Sequence, residues 1–285
     1  MNSATLPLII NLAPTGAVAG VGKNPNVPIS IAAILEDVIQ CTRAGASMVH
    51  LHVRDETGNP SADAGLFQAL ISSLRAAPEG CELVVCASTS GRHGQTLEQR
   101  VAVLDLTGIA KPDMASLTLS SMNFARAASI NEPDTIRFLA KRMLERGVRP
   151  ELEIFDLGMI HFAKVLIAEG LITPPFYFNL LLGNIAGAQA TLNDLAALVN
   201  QLPAGSLWSL AGIGKNQKTA AGLGCVMASG VRIGLEDNLW EDSHSHTPAT
   251  NLRLVRRLVS LASAYGRLVA EPREVRQRLG LVCKD

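Results

Sequence analysis

The stretch IAAILEDVIQCTRAGASMVHLHVRD, residues 31–55, contains a helical pattern followed by a strand pattern. An apolar stripe at i, i+3, i+4 and i+7 spacing indicates one face of a helix, and it is formed by Ile31, Ile34, Leu35 and Val38. Ser30 supplies a cap before this stripe, and Gly45 ends it. The apolar, β-branched run that follows alternates with His50 and His52, which is typical of a strand. Residues 31–55 therefore predict one helix and one strand in succession.

The same alternation of strand and helix patterns continues along the chain. Eight strand-like runs begin at Pro7 (PLIINLA), Ser47 (SMVHLHV), Glu82 (ELVVCAST), Asp113 (DMASLTL), Pro150 (PELEIF), Phe176 (FYFNLLLG), Ser206 (SLWSLAGIG) and Val231 (VRIGLE). Helical patterns separate them, including one from Asn131 to Gly147, one beginning at Thr191, and a last one from Leu252 to Ala262. This pattern predicts an α/β fold, a (β/α)8 TIM barrel forming a single domain over residues 1–285. A doubly wound open sheet is the alternative, but no GxGxxG follows the first strand.

Composition limits the classes of partner. The chain has 285 residues, 48% of them hydrophobic, and a mean hydropathy of +0.24. No apolar stretch reaches the ~18 residues of a membrane span, so we expect a large core, a subunit interface, or both. Lys plus Arg and Asp plus Glu both total 25, and this balance gives no reason to expect nucleic acid or a membrane as partner.

The cysteines and the start of the chain bear on the compartment. The 5 cysteines are scattered without CxxC pairing, which indicates free thiols in a reducing cytoplasm. The first apolar run lacks a preceding basic region, and we interpret it as a strand rather than a signal peptide.

The histidine pair within residues 31–55 is a candidate metal site. Side chains at i and i+2 of a strand share a face, so His50 and His52 lie side by side. Glu236, after the eighth run, supplies a third ligand, because two histidines and a carboxylate with one open position form the catalytic zinc pattern. The same ligands suit Fe(II), Co(II) or Mn(II). In the plainer interpretation the histidines are ordinary core residues and Glu236 forms a structural salt bridge with Arg232.

Other polar residues follow the predicted strands, where barrel enzymes place their chemistry. Asp237 is a candidate general base, Arg232 suits a substrate carboxylate, and Ser88 is placed to stabilise an oxyanion. Each also has a structural interpretation as a capping residue, a buried arginine or a turn serine.

A glycine turn and four further histidines are weaker signals. Gly212 and Gly214 form a tight turn whose N–H groups are suited to the phosphates of a large cofactor, although most such turns are structural. We interpret the remaining histidines as surface or capping residues, and they are His93, His161, His244 and His246.

Several motifs in order resemble the β-keto acid cleavage enzymes. They are VHLHVRD, STSG, PDMASL with MNF, PELEIFDLG, WSLAGIGKNQ and VRIGLEDN, and the likeness runs from Pro7 to Leu281. The resemblance implies a metal-dependent barrel, usually a homotetramer. It also implies condensation of a β-keto acid with acetyl-CoA to give acetoacetate and a new CoA thioester.

Site residues follow from the resemblance position by position. It implies that zinc is held by His50, His52 and Glu236. It implies catalytic roles for Asp237, which abstracts the C2 proton of the keto acid, and for Arg232, which steers the keto acid. It also implies that Ser88 and Ser116 support the oxyanion and the bound carboxylate. The substrate-binding candidates are Thr15, Gly16, Val18, Thr118, Gly212 and Gly214.

Several positions depart from the family pattern and bear on the substrate. Val18 stands where the typical enzyme has a glutamate that contacts an amino group, so we expect a substrate without that amine. Thr118 replaces an asparagine of many relatives, Ser229-Gly230 replaces Gly-His, and Lys215 replaces an arginine.

Two other functions fit parts of the sequence. Metal-dependent barrel hydrolases share the HxH motif, but they place it on the first strand and add histidines at later strands, and no later strand here carries one. A non-catalytic homologue would bind a keto acid or a CoA ester, yet mere binding would not require a base beside the metal.

Overall fold

Eight parallel strands close into a barrel in a computed structural model that describes residues 6–17, 22–92, 94–125, 127–241 and 247–283. In chain order the barrel strands are β1 (Ile9–Leu12), β2 (Met48–Leu51), β3 (Val84–Ala87), β4 (Met114–Thr118), β5 (Arg149–Ile154), β6 (Tyr177–Leu182), β7 (Leu207–Gly212) and β8 (Gly230–Ile233). Each strand pairs with its sequence neighbour, and β8 pairs with β1 to close the ring. All eight predicted strands are present, and the predicted (β/α)8 barrel is confirmed.

Helices surround the barrel. They are α1 (Ile31–Arg43), α2 (Ala64–Ala76), α3 (Leu97–Ala102), α4 (Pro133–Arg146), α5 (Leu157–Ala168), α6 (Leu192–Gln201), α7 (Gln217–Met227), α8 (Asn251–Ala264) and α9 (Pro272–Arg278). Two short antiparallel hairpins extend the barrel mouth, one pairing Val53–Arg54 with Pro60–Ser61 and the other pairing Met122–Asn123 with Ala128–Ser129. Within the described residues, no helix is both long enough and apolar enough to cross a membrane.

The predicted helix ends are confirmed by their caps. The Ser30 side chain accepts a hydrogen bond from the N–H of Ala33 at the start of α1. Gly147 ends α4 with φ of 60°, a left-handed conformation that favours glycine. Thr191 caps α6 through the N–H of Asp194. These local signals explain why the helices begin and end where the sequence predicts.

The prediction that the helix after Leu252 is the last one is wrong. Helix α9 follows it and covers the amino-terminal end of the barrel, where Val275 and Leu279 pack with Ile9, Met48 and other interior residues. Buried ion pairs fix this helix: Asp113 accepts from Nη2 of Arg276 at 2.7 Å and also pairs with Arg75. The opposite, carboxyl-terminal end of the barrel stays open and forms the mouth.

Candidate metal and active site at the barrel mouth

The two histidines of the HxH motif meet at the mouth. His50 is in β2, its side chain is almost fully buried, and its Nε2 lies 3.4 Å from Nε2 of His52. The predicted strand run SMVHLHV is longer than the observed strand, because β2 ends at Leu51. Arg54 lies in the first hairpin, and its guanidinium donates to the carbonyl oxygens of Gly16 and Gly58 at 2.7 and 2.8 Å.

Glu236 completes a three-ligand cluster with His50 and His52. Its Oε1 lies 3.3 Å from Nε2 of His52 and 4.0 Å from Nε2 of His50. Bonds of about 2.0–2.1 Å to a tetrahedral ion place ligand atoms about 3.4 Å apart, so the three atoms fit one ion. In addition, Oε2 of Glu236 is buried and has no hydrogen-bond partner among the described residues. The cluster therefore fits a divalent cation with one position open.

Glu151 of β5 orients His50 from beneath. Its side chain is fully buried, and Nδ1 of His50 donates to its Oε2 at 2.5 Å. The second carboxylate oxygen accepts from Asn11 at 2.7 Å and from Asn179 at 3.3 Å. With the proton held on Nδ1, the lone pair of Nε2 faces the cluster, as a metal ligand requires.

Charges near this pair set the protonation states. Burial by itself raises the pKa of Glu151, but the charge of His50 and that of Arg232 lower it to about 2. Burial lowers the pKa of His50, but the charges of Glu151 and Glu236 outweigh it and raise that pKa. Burial lowers the pKa of His52. Glu151 is therefore a carboxylate that only accepts hydrogen bonds.

Arg232 of β8 joins the cluster to Asp237. Its Nε donates to Oδ2 of Asp237 at 2.9 Å, and its Nη2 donates to Oε1 of Glu236 at 2.7 Å. Burial raises the pKa of Asp237, whereas the charge of Arg232 holds the pKa of Glu236 well below its usual range against burial. Glu236 thus pairs with Arg232, as the structural interpretation expects, and faces both histidines as well. The third guanidinium nitrogen of Arg232, Nη1, has no hydrogen-bond partner among the described residues. It lies 3.6 Å from Oε1 of Glu153.

The turn after β1 packs directly on the cluster. Gly16 has φ of +63°, and a Cβ added to it would lie 2.4 Å from Cγ of Glu236. Thr15 is fully buried, and its hydroxyl accepts from Nε of Arg54 at 3.3 Å. Both residues therefore lie beside the site, and their observed contacts are with protein groups.

Two N–H groups of the Gly212–Gly214 turn are bonded to protein acceptors and are not free for a phosphate. The N–H of Gly214 donates to the carbonyl oxygen of Asp237 at 2.7 Å, and the N–H of Ile213 donates to Leu182. Gly212 is close-packed, since a Cβ there would lie 2.4 Å from the carbonyl oxygen of Asn216. The phosphate interpretation is corrected for Gly214: its N–H fixes the backbone of Asp237. Lys215 remains exposed.

The serine and threonine candidates lie at the ends of β3 and β4. Ser88 lines one small cavity together with His52, and its hydroxyl accepts from the N–H of Ser90. Ser116 is buried, and its Oγ accepts from the N–H of Thr89 at 3.1 Å. Thr118 donates to Oε2 of Glu153 at 2.6 Å. Both serine hydroxyls keep their own proton for donation.

Comparison with known proteins decides the family. A profile of the beta-keto acid cleavage enzyme family matches residues 7–281. The chain belongs to the beta-keto acid cleavage enzyme family. It is 37% identical to a 3-keto-5-aminohexanoate cleavage enzyme of Fusobacterium nucleatum, over 96% of this chain and 98% of the relative.

Other members of the family carry different names. A 3-dehydrocarnitine:acetyl-CoA trimethylamine transferase of Rhizobium meliloti is 34% identical over 96% of each chain. A 3-oxoadipate:acetyl-CoA acetyltransferase of Cupriavidus necator is 34% identical over 97% of this chain and 96% of the relative. Members of the family at this similarity thus differ in the keto acid that they are named for.

A solved structure shares the fold. The apo structure of ObcA superposes with a TM-score of 0.79 at 21% identity, covering 90% of this chain and 66% of that chain. At this identity the likeness concerns the barrel alone.

Some site residues were missed by the sequence analysis, and some lie outside the described residues. Neither Glu151 nor Glu153 is assigned a role from the sequence, although their i, i+2 spacing in PELEIF places both on one face. His161 is exposed on α5, as expected. Four residues considered in the sequence analysis lie outside the described ranges: Val18, His93, His244 and His246.

Proposed function

We propose that this protein is a metal-dependent enzyme that condenses a β-keto acid with acetyl-CoA and releases acetoacetate and a new acyl-CoA. One observation carries the proposal: a three-ligand cluster lies beside Asp237, a buried carboxylate held by Arg232 at 2.9 Å. Family membership and the names of the relatives, which include two acetyl-CoA-dependent transferases, support the substrates.

We further propose that zinc is the metal, held by His50, His52 and Glu236. Two imidazoles, one carboxylate and an open position are the donor set of catalytic zinc sites. Nε2 of each histidine and Oε1 of Glu236 converge at 3.3–4.0 Å, and Glu151 accepts the proton of His50 Nδ1 on the side away from them. A bound divalent cation would act as a Lewis acid toward the keto oxygen and make the neighbouring C–H acidic.

The protein residues would manage the proton and the charge. Asp237 accepts the proton from C2 of the keto acid, for which its raised pKa suits it. C2 then forms a bond to the thioester carbonyl carbon of acetyl-CoA, and the CoA thiolate leaves. The thiolate attacks the original keto carbon, the bond between that carbon and C2 breaks, and Asp237 returns its proton to C2 of the departing acetoacetate. Ser88 and Ser116 donate hydrogen bonds to the oxygens that gain negative charge.

The decisive assay follows acetoacetate by mass spectrometry. The purified protein is incubated with a panel of β-keto acids and acetyl-CoA, and one of them is expected to yield acetoacetate and a new acyl-CoA. Asp237→Asn keeps the metal and lowers turnover by about 10²–10⁴-fold, the usual contribution of a general base. His50→Ala loses the metal. If no keto acid reacts while an ester or amide is hydrolysed, the protein is a barrel hydrolase and the proposal is wrong.

We also propose that residues 1–285 form a single domain that assembles as a homotetramer in the cytoplasm. The family resemblance and the 48% hydrophobic composition support the tetramer. All 5 cysteines are free thiols, which suits a reducing compartment. Light scattering is expected to give four times the 30.2 kDa chain mass. A mass of one chain would contradict the assembly.

A further inference from the structure

An arginine and two phenylalanines form a stack across the barrel mouth, which we call the aromatic bridge (Arg92, Phe124 and Phe155). The guanidinium carbon of Arg92 lies 3.4 Å from the ring centroid of Phe124. That ring meets Phe155 edge to face, with centroids 5.8 Å apart and planes at 90°. Phe155 directly follows β5, and Arg92 follows the STSG turn after β3. The bridge therefore links the loop after β3 to the end of β5.

The charge of Arg92 has no partner within the described residues. No carboxylate there lies within salt-bridge distance of its guanidinium, and no guanidinium nitrogen has a hydrogen-bond acceptor there; Nε is also buried. Other arginines of the mouth have partners: Arg54 binds backbone carbonyls, Arg100 binds Thr89 and Asn131, and Arg232 binds two carboxylates. A half-buried guanidinium that makes only a ring contact keeps its donors available for a ligand.

The position of Arg92 places it inside the mouth rather than on the outer surface. Burial lowers the pKa of Arg92, whereas the negative charges of Glu236 and Glu153 raise it. Its loop is fixed by two short hydrogen-bonded turns, in which Ser88 accepts from Ser90 and Ser90 accepts from the N–H of Arg92. The arginine thus extends from a turn that also carries a candidate catalytic serine.

The metal ligands and the aromatic bridge come from different elements of the mouth. The three-ligand cluster comes from β2 and the loop after β8, whereas the bridge spans β3 to β5. In the proposed mechanism, the keto acid would have its C2 beside Asp237 and its keto oxygen at the three-ligand cluster. Its variable acyl end can then extend across the mouth, toward the free guanidinium of Arg92.

We propose that Arg92 determines specificity by binding an anionic group at the far end of the acyl chain, so that the preferred substrates are 3-oxo dicarboxylic acids. This inference rests on the proposed function. A guanidinium matches a carboxylate with two parallel hydrogen bonds, whereas it repels an ammonium end.

A matched pair of substrates tests the inference. 3-Oxoadipate and 3-oxohexanoate have the same six-carbon chain, but one ends in a carboxylate and the other in a methyl group. With saturating acetyl-CoA, the dicarboxylic acid is expected to have the higher kcat/KM by about 10- to 100-fold, the range for a charge-assisted hydrogen bond. Arg92→Gln is expected to bring this ratio close to one by weakening the binding of the dicarboxylic acid, which raises its KM. Arg92→Lys is expected to restore part of the ratio.

A second arginine over a phenylalanine provides the control. Arg137 of α4 lies 5.4 Å from the ring of Phe162 and pairs with Glu169, away from the mouth. Arg137→Gln is expected to leave the substrate ratio unchanged. The thermal midpoint of each variant shows whether the fold is intact.

The outcomes separate this inference from the proposed function. A wild-type enzyme that prefers 3-oxohexanoate, or 5-amino-3-oxohexanoate, overturns the role of Arg92 and leaves the proposed function standing. An Arg92→Gln variant whose KM rises for acetyl-CoA, with the keto acid ratio unchanged, assigns the arginine to CoA phosphates and also overturns it. Turnover of no keto acid by the wild type defeats the proposed function itself.

Discussion

Replacing Glu151 with glutamine is expected to weaken metal binding without removing any ligand. The carboxylate accepts from Nδ1 of His50 at 2.5 Å and from Asn11 at 2.7 Å. In Glu151→Gln the amide oxygen can serve Asn11, and the amide N–H₂ then faces Nδ1 of His50. The imidazole proton is driven to Nε2, where the cation would bind. The variant therefore favours the wrong tautomer for coordination.

The size of the effect follows from the electrostatics of the pair. The pKa of Glu151 is about 2, against an ordinary value of about 4.3. At about 1.4 kcal/mol per tenfold change, its surroundings favour the carboxylate over the protonated acid by about 3 kcal/mol, so Glu151 keeps an acceptor facing Nδ1 of His50. We expect the dissociation constant for zinc to rise by about 10- to 100-fold, as is usual when a carboxylate partner of a metal-bound histidine is removed.

Competition with a chromophoric zinc chelator measures this change. Glu153→Gln is the matched control, because Glu153 is on the same strand, bonds Thr118 at 2.6 Å and makes no contact with His50. Its zinc affinity is expected to stay within about twofold of the wild type, since it touches none of the three ligands. If Glu151→Gln, folded as judged by circular dichroism, also binds zinc as the wild type does, the tautomer argument is refuted.

Further predictions concern the pH dependence of zinc binding, the packing behind the ligands and the closed end of the barrel. Zinc affinity is expected to increase with pH, because the pKa of His50 is raised on balance and the ion must displace a proton from it; equal dissociation constants at pH 6 and pH 8 would contradict this. Gly16→Ala adds a methyl group 2.4 Å from Cγ of the ligand Glu236 and is expected to weaken zinc binding at least about tenfold. Gly108→Ala is the control, because Gly108 has a similar φ of +61° but open space around it. That substitution costs only about 1–2 kcal/mol of backbone strain. Asp113→Ala removes the carboxylate that two buried arginines share, Arg75 and Arg276, and is expected to lower the free energy of unfolding in urea by about 3–5 kcal/mol. The half-buried surface pair lost in Arg137→Ala is expected to cost less than about 1 kcal/mol, and equal losses would contradict the ion-pair argument.

The barrel was predictable because its signals are local. Each strand is a short apolar run, and helices such as α1 carry an apolar stripe that begins after a capping residue, here Ser30. Helix α9 was missed because its 7 residues, PREVRQR, contain a single large apolar side chain, Val275. Its position depends on buried ion pairs to Asp113, which no local pattern reveals.

The metal ligands were predictable in part for the same reason. The i, i+2 spacing of His50 and His52 is a local pattern, whereas Glu236 depends on the closure of β8 onto β1. Glu151 could not be assigned, since it meets His50 only through the packing of the barrel interior, 101 residues apart in sequence. Arg92 could not be assigned either, because two loops and a strand end bring the aromatic bridge together.

Anomalous diffraction at the zinc edge tests the central claim most directly. Crystals of the protein, purified without chelator and supplied with zinc, are expected to show one strong peak about 2.0–2.2 Å from Nε2 of His50, Nε2 of His52 and a carboxylate oxygen of Glu236. A peak inside the barrel between His50, Cys86 and Glu151, which also converge closely, would contradict the account. So would the lack of any peak at the mouth with zinc in excess.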